Sequence, residues 1–86
     1  MIEPKLVAVL RCPETGQQLE IATETLIQRV NTAIRSGQLR DHQEQRIVRE
    51  IGDGLVTGDG SRLYPIRDQI PTMIVGESIP LQQLSD

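Results

Sequence analysis

Few side chains of this sequence belong to the types that carry out chemistry. It has one cysteine, Cys12, and one histidine, His42. A reactive thiol needs a nearby base, and no such base lies close to Cys12 in sequence, so we expect a small buried residue there. His42 stands between Asp41 and Gln43 and is expected to be solvated. No Ser-His-Asp set, carboxylate pair or phosphate-binding loop can be assembled, so the residues do not predict an enzyme.

Two Gly-Asp-Gly triplets, at 52–54 and 58–60, are the remaining candidates for a binding loop. A calcium loop needs several oxygen ligands at short, fixed spacing, and two aspartates do not supply them. Glycine and aspartate also favour tight turns. We therefore predict turns at both triplets, with residues 54–58 and 61–66 forming the two strands of a hairpin.

Composition narrows the partners that the chain can bind. Its 86 residues form one expected domain, 1–86, and the core must be aliphatic because there are ten Ile, nine Leu and six Val but one Tyr and no Phe or Trp. A surface without aromatic residues offers no platform on which bases could stack. The net charge is −3 and the basic residues are interspersed with acidic ones, so direct nucleic-acid binding is not expected.

Localisation follows from what the sequence lacks. A single cysteine excludes an intrachain disulfide and suits a reducing compartment. The N-terminal residues do not have the pattern of a signal peptide, and the longest apolar run, Leu6–Leu10, is too short to span a membrane. We expect a cytoplasmic protein without a membrane segment.

Hydrophobic periodicity predicts an α+β fold. Apolar residues recur with helical spacing over 23–36, where Thr23 is a suitable N-cap and Gly37 a suitable stop. Alternation predicts a strand at 17–22, and Pro4 favours a short helical turn over 5–10. Residues 38–46 are polar and are expected to form a solvated loop, followed by a short strand or extended arm at 47–51. The prediction is a small antiparallel sheet of about four strands with one amphipathic helix packed on it.

Residues 62–75 are the most distinctive segment. They contain the only aromatic residue, Tyr64, and two prolines, Pro65 and Pro71, around a polar corner. Strand, sharp turn and strand are the predicted order, with the last strand at 69–75. The corner either serves only to make the fold rigid or also presents an edge to a partner. The tail at 77–86 is expected either to pack on the domain or to fray.

Two blocks of residues form a pattern that is familiar from one family. The first block consists of Leu6, Leu10, Cys12-Pro13, Gly16 and Leu19. The second block consists of Leu55-Val56, Leu63-Tyr64-Pro65-Ile66, Asp68, Ile70-Pro71, Met73-Ile74-Val75 and Glu77. In these blocks the chain resembles the small zinc-ribbon-like activator subunits of tRNA and protein methyltransferases and their short bacterial relatives of unassigned function. The resemblance covers about half of the chain and implies a zinc-ribbon-like core.

The chain departs from this family in three ways. Zinc-binding members use two Cys-x-x-Cys pairs, whereas here Cys12 stands alone and Thr15, Thr57 and Gly60 occupy the other positions. One thiolate cannot hold a structural zinc ion, so no metal and no cofactor is expected. Gln69 replaces a usual glycine after Asp68. A helical insert at about 22–52 makes the chain an intermediate between the short and the long members.

The resemblance implies a non-catalytic subunit that binds and stabilises or activates a methyltransferase. The partner would be an S-adenosylmethionine-dependent enzyme that acts on tRNA, rRNA or protein. The residues expected to contact it are Tyr64, Ile66, Ile70, Met73 and Val75. Two alternatives stay open: a stand-alone structural or regulatory module without such a partner, and a homodimer that hides the same edge.

Overall fold

The structure is a computed structural model that describes residues 5, 9–67, 70–71 and 73–84. Its strands and its α-helix are β1 (Leu19–Ile21), α1 (Glu24–Arg35), β2 (Asp53–Thr57), β3 (Arg62–Arg67), β4 (Ile70–Pro71) and β5 (Ile79–Pro80). Short 3₁₀ helices lie at Val75–Glu77 and Leu81–Gln83. One helix packed on an antiparallel sheet confirms the predicted α+β class. Within the described residues, no helix has both the length and the apolar character needed to cross a bilayer.

The sheet is organised around β3. Strands β1, β2 and β3 are antiparallel neighbours, with Leu55 opposite Tyr64 at the centre of the β2–β3 pair. On its other side β3 pairs with two short strands, β5 at Arg62–Leu63 and β4 at Ile66–Arg67. The sheet therefore has five strands, one more than the sequence predicts. The extra strand arises because β5 and β4 pair with opposite ends of β3, in place of one long strand along that side.

Pro65 is tolerated within β3 because its nitrogen faces the gap between β5 and β4. The Ala22 N–H donates to the Gly54 carbonyl at 2.8 Å, so the hydrogen-bonding groups of Gly54 point toward the β1 side. Pro65 lies opposite Gly54, and its nitrogen therefore points away from β2. There it faces the stretch between β5 and β4, where no ladder donor is needed.

Helix α1 forms where the apolar periodicity predicts it. The Thr23 hydroxyl accepts a hydrogen bond from the Leu26 N–H at 3.2 Å, which confirms it as the N-cap. Gly37 follows the helix with φ +78°, a conformation that glycine adopts without strain. The buried face of the helix consists of Ile27, Val30 and Ile34, which pack in one core cluster with Leu63.

The segment between α1 and β2 departs from its prediction at one residue, while of the two forms predicted for 47–51 the arm is the one observed. It contains no strand, and the polar loop at 38–46 carries one fully buried residue, Leu39, whose carbonyl accepts from the Ile47 N–H at 2.9 Å. The Asn31 side chain holds Ile51 by two 2.8 Å hydrogen bonds to its backbone N–H and carbonyl. The segment is therefore an extended arm that hydrogen bonds hold to the helix. Its polar composition did not indicate that Leu39 belongs to the core.

The C-terminal segment packs on the domain as far as it is described. Ile79 is fully buried, and the Leu81 N–H donates to the Ser61 carbonyl at 2.9 Å. The Gln83 amide bonds both the N–H and the carbonyl of Arg40. Of the two outcomes predicted for residues 77–86, packing is the one observed for 77–84.

Three further expectations differ or lie outside the described residues. The first Gly-Asp-Gly triplet does not form a tight turn: Gly54 lies within β2, where a Cβ atom would stand 2.9 Å from the Leu63 side chain. The last strand, predicted at 69–75, is reduced to β4, which Pro71 keeps short. Lys5 and Val9 are helical, but the rest of the helical turn predicted at 5–10 and the Asp68–Gln69 corner fall outside the described residues, apart from Leu10.

Two buried clusters lie on opposite faces of the sheet. The cluster beneath the helix contains Ala22, Ile27, Val30, Ile34, Leu39, Ile47, Ile51, Leu63 and Ile79. The cluster on the other face contains Cys12, Leu19, Leu55, Tyr64 and Ile66, with Leu10 and Met73 packed against it. Both faces of β3 are consequently covered.

Leu39 provides a test of the structure of the 38–46 loop. We expect Leu39→Ala to lower the free energy of unfolding by about 3 kcal/mol, because it opens a cavity beneath α1. Urea unfolding followed by far-UV circular dichroism measures this. The matched control is Gln38→Ala, at an exposed neighbouring position, which should change stability by less than about 0.5 kcal/mol. Equal effects of the two substitutions would contradict the burial of Leu39.

Candidate functional site

The five residues predicted to contact a partner separate into two groups. Tyr64 and Ile66 are buried in the cluster opposite the helix, and in this fold neither side chain reaches the surface. Ile70 is 68% exposed, and Met73 and Val75 are half-buried. Tyr64 and Ile66 therefore cannot contact a partner directly in this fold, because β3 is an interior strand and both side chains are buried. A contact role for the other three stays a prediction.

A fourth accessible residue, Ile74, lies in the same segment and was not singled out from the sequence. It is 57% exposed and has an extended backbone before the 3₁₀ turn at Val75–Glu77. We call Ile70, Met73, Ile74 and Val75 the β4 edge. The continuous apolar run 73–75 could have indicated Ile74. Three consecutive apolar side chains cannot all be buried where they follow an edge strand as short as the two-residue β4.

The backbone of the β4 edge offers few groups for pairing with another strand. Pro71 has no N–H, and the carbonyls of Ile74 and Val75 accept from the N–H groups of Glu77 and Ser78 at 3.0 and 3.1 Å. Recognition at this edge would therefore depend mainly on side chains.

Beneath the edge, Tyr64 is fixed by a hydrogen bond to Cys12. The hydroxyl oxygen and the thiol sulfur are 3.0 Å apart and both residues are buried. Burial raises the pKa of Tyr64 above its usual range, so the phenol stays neutral. Burial opposes ionisation of Cys12, but hydrogen bonds from Thr15 and Tyr64 outweigh it and lower the pKa of the thiol. Because Cys12 is enclosed, this pair is a structural contact.

The two turns that carry Cys12, Thr15, Thr57 and Gly60 lie side by side. The Gly16 N–H closes the first turn on the Cys12 carbonyl, and the Gly60 N–H closes the second on the Thr57 carbonyl, each at 2.8 Å. Among the residues that the structure describes, no group of three or more His, Cys, Asp or Glu side chains could hold a metal ion.

Side-chain hydrogen bonds join these turns to each other. The Gln17 side chain donates to the Asp59 carboxylate at 3.2 Å and accepts from the Asp59 N–H at 3.0 Å. The two terminal nitrogens of the Arg62 guanidinium, Nη1 and Nη2, donate to the Glu14 carboxylate at 3.0 and 3.1 Å. The turns are thus held together by polar side chains.

The same Arg62 group also contacts His42 and Ser78. Its Nη1 lies 3.2 Å from His42 Nδ1 and 3.2 Å from the Ser78 hydroxyl. A guanidinium has only donors, so His42 Nδ1 must accept, and the neutral imidazole carries its proton on Nε2. His42 is exposed as expected, yet it is part of a hydrogen-bonded cluster, which its sequence neighbours did not indicate.

A groove of about 490 Å³ lies between α1 and the C-terminal segment. Three of its polar side chains make hydrogen bonds within the chain: the Thr32 hydroxyl donates to the Gln28 carbonyl, the Ser36 hydroxyl to that of Ala33, and the Gln83 amide to that of Pro80.

Comparison with known proteins identifies the fold but no family. No family model matches the chain, and no curated protein sequence matches it. The chain is similar to XF2673 from Xylella fastidiosa, a structural genomics target solved by solution NMR. The two are 26% identical with a TM-score of 0.80, and the match covers 98% of this chain and 87% of that chain. This likeness extends over the helix as well as the sheet.

The buried Cys12–Tyr64 pair can be tested by a double-mutant cycle. We expect Tyr64→Phe to lower the free energy of unfolding by about 1 kcal/mol, because the thiol loses its hydrogen-bond partner. In a Cys12→Ala background, the same substitution should have a smaller effect. Thermal unfolding followed by circular dichroism gives all four values. Strict additivity would show that the hydroxyl and the thiol do not interact.

Asp59 should make the stability of the fold depend on pH. Hydrogen bonds from Ser61, then Thr57 and Gln17, hold the pKa of its carboxyl well below the usual range. Because the folded-state pKa is lowered, the carboxylate stabilises the fold above the unfolded value of about 3.9, and this stabilisation is lost as the pH falls below it.

We therefore expect Asp59→Asn to melt at a lower temperature than the wild type at pH 7, with a difference that narrows toward pH 2. Thermal unfolding across this pH range is the measurement. Glu20→Gln, which removes an exposed carboxylate from β1, is the control. A difference that stays constant with pH would contradict the assignment.

Proposed function

We propose that this chain is a non-catalytic subunit that binds and stabilises a methyltransferase in the cytoplasm. The observation that carries the proposal is the β4 edge, where Ile70 and Ile74 expose most of their aliphatic surface to water. Adjacent exposed aliphatic side chains mark sites of protein association when they lie together. The resemblance of the second sequence block to methyltransferase activators supports the choice of partner.

The position of the edge also supports a binding role. Ile70 belongs to β4, which is held only by its pairing with the end of β3. Met73 packs on the buried cluster that contains Tyr64 and Ile66, so the edge rests on a rigid base. A rigid base lowers the conformational entropy that is lost when a partner binds. Tyr64 and Ile66 thus support Met73 from beneath, whereas Ile70 projects from the opposite face of the sheet because it is paired with Arg67.

Catalysis and the methyl donor belong to the partner in this proposal. The most reactive side-chain type, the Cys12 thiol, is buried. A subunit that covers an apolar surface of an enzyme needs no reactive group of its own. The substrate of the enzyme, whether tRNA, rRNA or protein, would be selected by the partner.

Affinity purification from the native host tests the proposal. The tagged full-length chain should retain an S-adenosylmethionine-dependent methyltransferase in equimolar amount, identified by mass spectrometry. Recovery of the chain alone as a monomer under gentle conditions would favour the stand-alone module. Recovery as a dimer would show that a second copy covers the edge.

The β4 edge itself is tested by Ile70→Lys. We expect this change to reduce recovery of the partner at least tenfold while the melting temperature stays within a few degrees, because Ile70 is exposed and makes little contribution to the core. Val48→Lys is a matched control, since Val48 is an aliphatic residue with 73% exposure on the arm that follows α1. Equal loss in both variants would show that the effect is not specific to the edge.

A further inference from the structure

The two Gly-Asp-Gly triplets contain a chemically reactive dipeptide twice, as Asp53–Gly54 and as Asp59–Gly60. The amide nitrogen of a glycine is little hindered, because the residue has no side chain. In a flexible chain this nitrogen attacks the side-chain carboxyl of the preceding aspartate. The N–Cγ bond that forms closes a succinimide ring, and the amide proton and the carboxyl OH group leave together as water.

A second step changes the backbone. Water adds to one of the two ring carbonyls and opens the ring. Addition at Cγ restores aspartate, whereas addition at the main-chain carbonyl yields isoaspartate, in which the backbone runs through Cβ and Cγ. The product has the same composition as the starting chain, but its backbone is longer by a methylene group and its carboxylate is attached to Cα.

The fold restrains the carboxyl group of Asp59. Its Oδ1 accepts from the Thr57 hydroxyl at 2.8 Å, from the Ser61 N–H at 3.0 Å and from the Ser61 hydroxyl at 2.6 Å. Its Oδ2 accepts from the Gln17 side-chain amide at 3.2 Å. Attack by an amide nitrogen takes place on the face of a protonated carboxyl that is free to turn, whereas these hydrogen bonds hold the group fixed and favour its ionised form.

The attacking nitrogen is restrained as well. The Gly60 N–H donates to the Thr57 carbonyl at 2.8 Å, and the Asp59 N–H donates to the Gln17 side-chain oxygen at 3.0 Å. The main chain is therefore held on both sides of the reactive bond. Hydrogen bonds from Ser61, then Thr57 and Gln17, also keep the pKa of the Asp59 carboxyl well below its usual range, so the protonated form is scarce at neutral pH.

An isoaspartate at position 59 does not suit this turn. Thr57 Oγ1 is shared, since it donates to Asp59 and accepts from the Arg62 N–H at 3.2 Å. The Asp59 carboxylate thereby connects the end of β2 to the start of β3. With a longer backbone and a carboxylate on Cα, the spacing that the Gly60–Thr57 bond and the carboxylate contacts both require is lost.

We propose that Asp59–Gly60 is a latent site of isoaspartate formation, which its hydrogen bonds in the fold keep unreactive and which, once modified in an unfolded chain, prevents the β2–β3 turn from re-forming. Unfolding would then become irreversible with time. The inference is independent of any partner. Asp53–Gly54 provides a reference within the same molecule, because it is the same dipeptide at another position.

The first experiment measures isoaspartate at both dipeptides of the wild-type chain. The chain is incubated at pH 7 in buffer and in guanidinium chloride, and peptides are mapped with electron-transfer dissociation, which distinguishes isoaspartate from aspartate. In denaturant we expect the two dipeptides to react at similar rates. In buffer we expect Asp59 to react at least about tenfold more slowly than in denaturant. Equal rates at Asp59 in buffer and in denaturant would overturn the proposal.

The second experiment removes single hydrogen bonds from the folded chain. Ser61→Ala deletes the 2.6 Å bond at an exposed position, and we expect isoaspartate formation at Asp59 in buffer to rise about threefold or more. Gln17→Ala should act in the same direction, and Ser36→Ala, the same change at an exposed serine after α1, should have no effect. No rise at Asp59, or an equal rise at Asp53, would overturn the proposal.

The third experiment tests refolding. Wild-type chain that is partly converted in denaturant is diluted into buffer and treated briefly with a protease that digests unfolded chains. Peptide mapping of the surviving chains should show isoaspartate at position 59 depleted at least about tenfold relative to the denatured sample. Survival of this isoaspartate at its starting proportion would overturn the proposal, because it would show that the modified turn re-forms.

Discussion

Leu63 and Tyr64 are adjacent in sequence, point to opposite faces of β3, and are both fully buried. An 86-residue chain has little apolar material with which to cover two faces of a sheet. Helix α1 and the arm behind it cover Leu63, while the N-terminal turn with Cys12 covers Tyr64. The positions of the remaining elements follow from this two-sided burial, since each of them lies where it shields one face of β3.

Polar contacts then fix the segments that the two clusters hold only loosely. Arg62 joins the N-terminal turn, the loop after α1 and the C-terminal segment through Glu14, His42 and Ser78. An ion pair with a half-exposed partner contributes little to the free energy of folding by itself. One arginine that contacts three segments nevertheless restrains these segments relative to one another. The side chains of Gln17 and Asp59 likewise join the two turns to each other.

The exposed β4 edge is a consequence of the way in which β3 is completed. A single long strand beside β3 would bury all of its apolar residues, but Pro71 and the 3₁₀ turn at Val75–Glu77 prevent one from forming. Two short strands take its place. Ile70 and Ile74 are left exposed.

Much of the fold was predictable because its signals are local. The periodicity of α1, its Thr23 cap, its Gly37 stop and the β2–β3 hairpin all depend on residues that are near one another in the chain. The burial of Leu39, the pairing of β5 with β3, and the Arg62 cluster were not predictable in this way, since each joins residues that are far apart. For the candidate site, the sequence assigned contact roles to Tyr64 and Ile66, which the structure buries, and to Ile70, which it exposes.

By itself, the amino-acid sequence determined the helix over 24–35, the β2–β3 hairpin and the aliphatic character of the core. Only the tertiary structure decided which of its apolar side chains face solvent. The physical reason is that alternation along a strand assigns residues to two faces but does not say whether either face is covered. In β3 both faces are covered, so Tyr64 is interior, whereas one strand further out Ile70 remains at the surface.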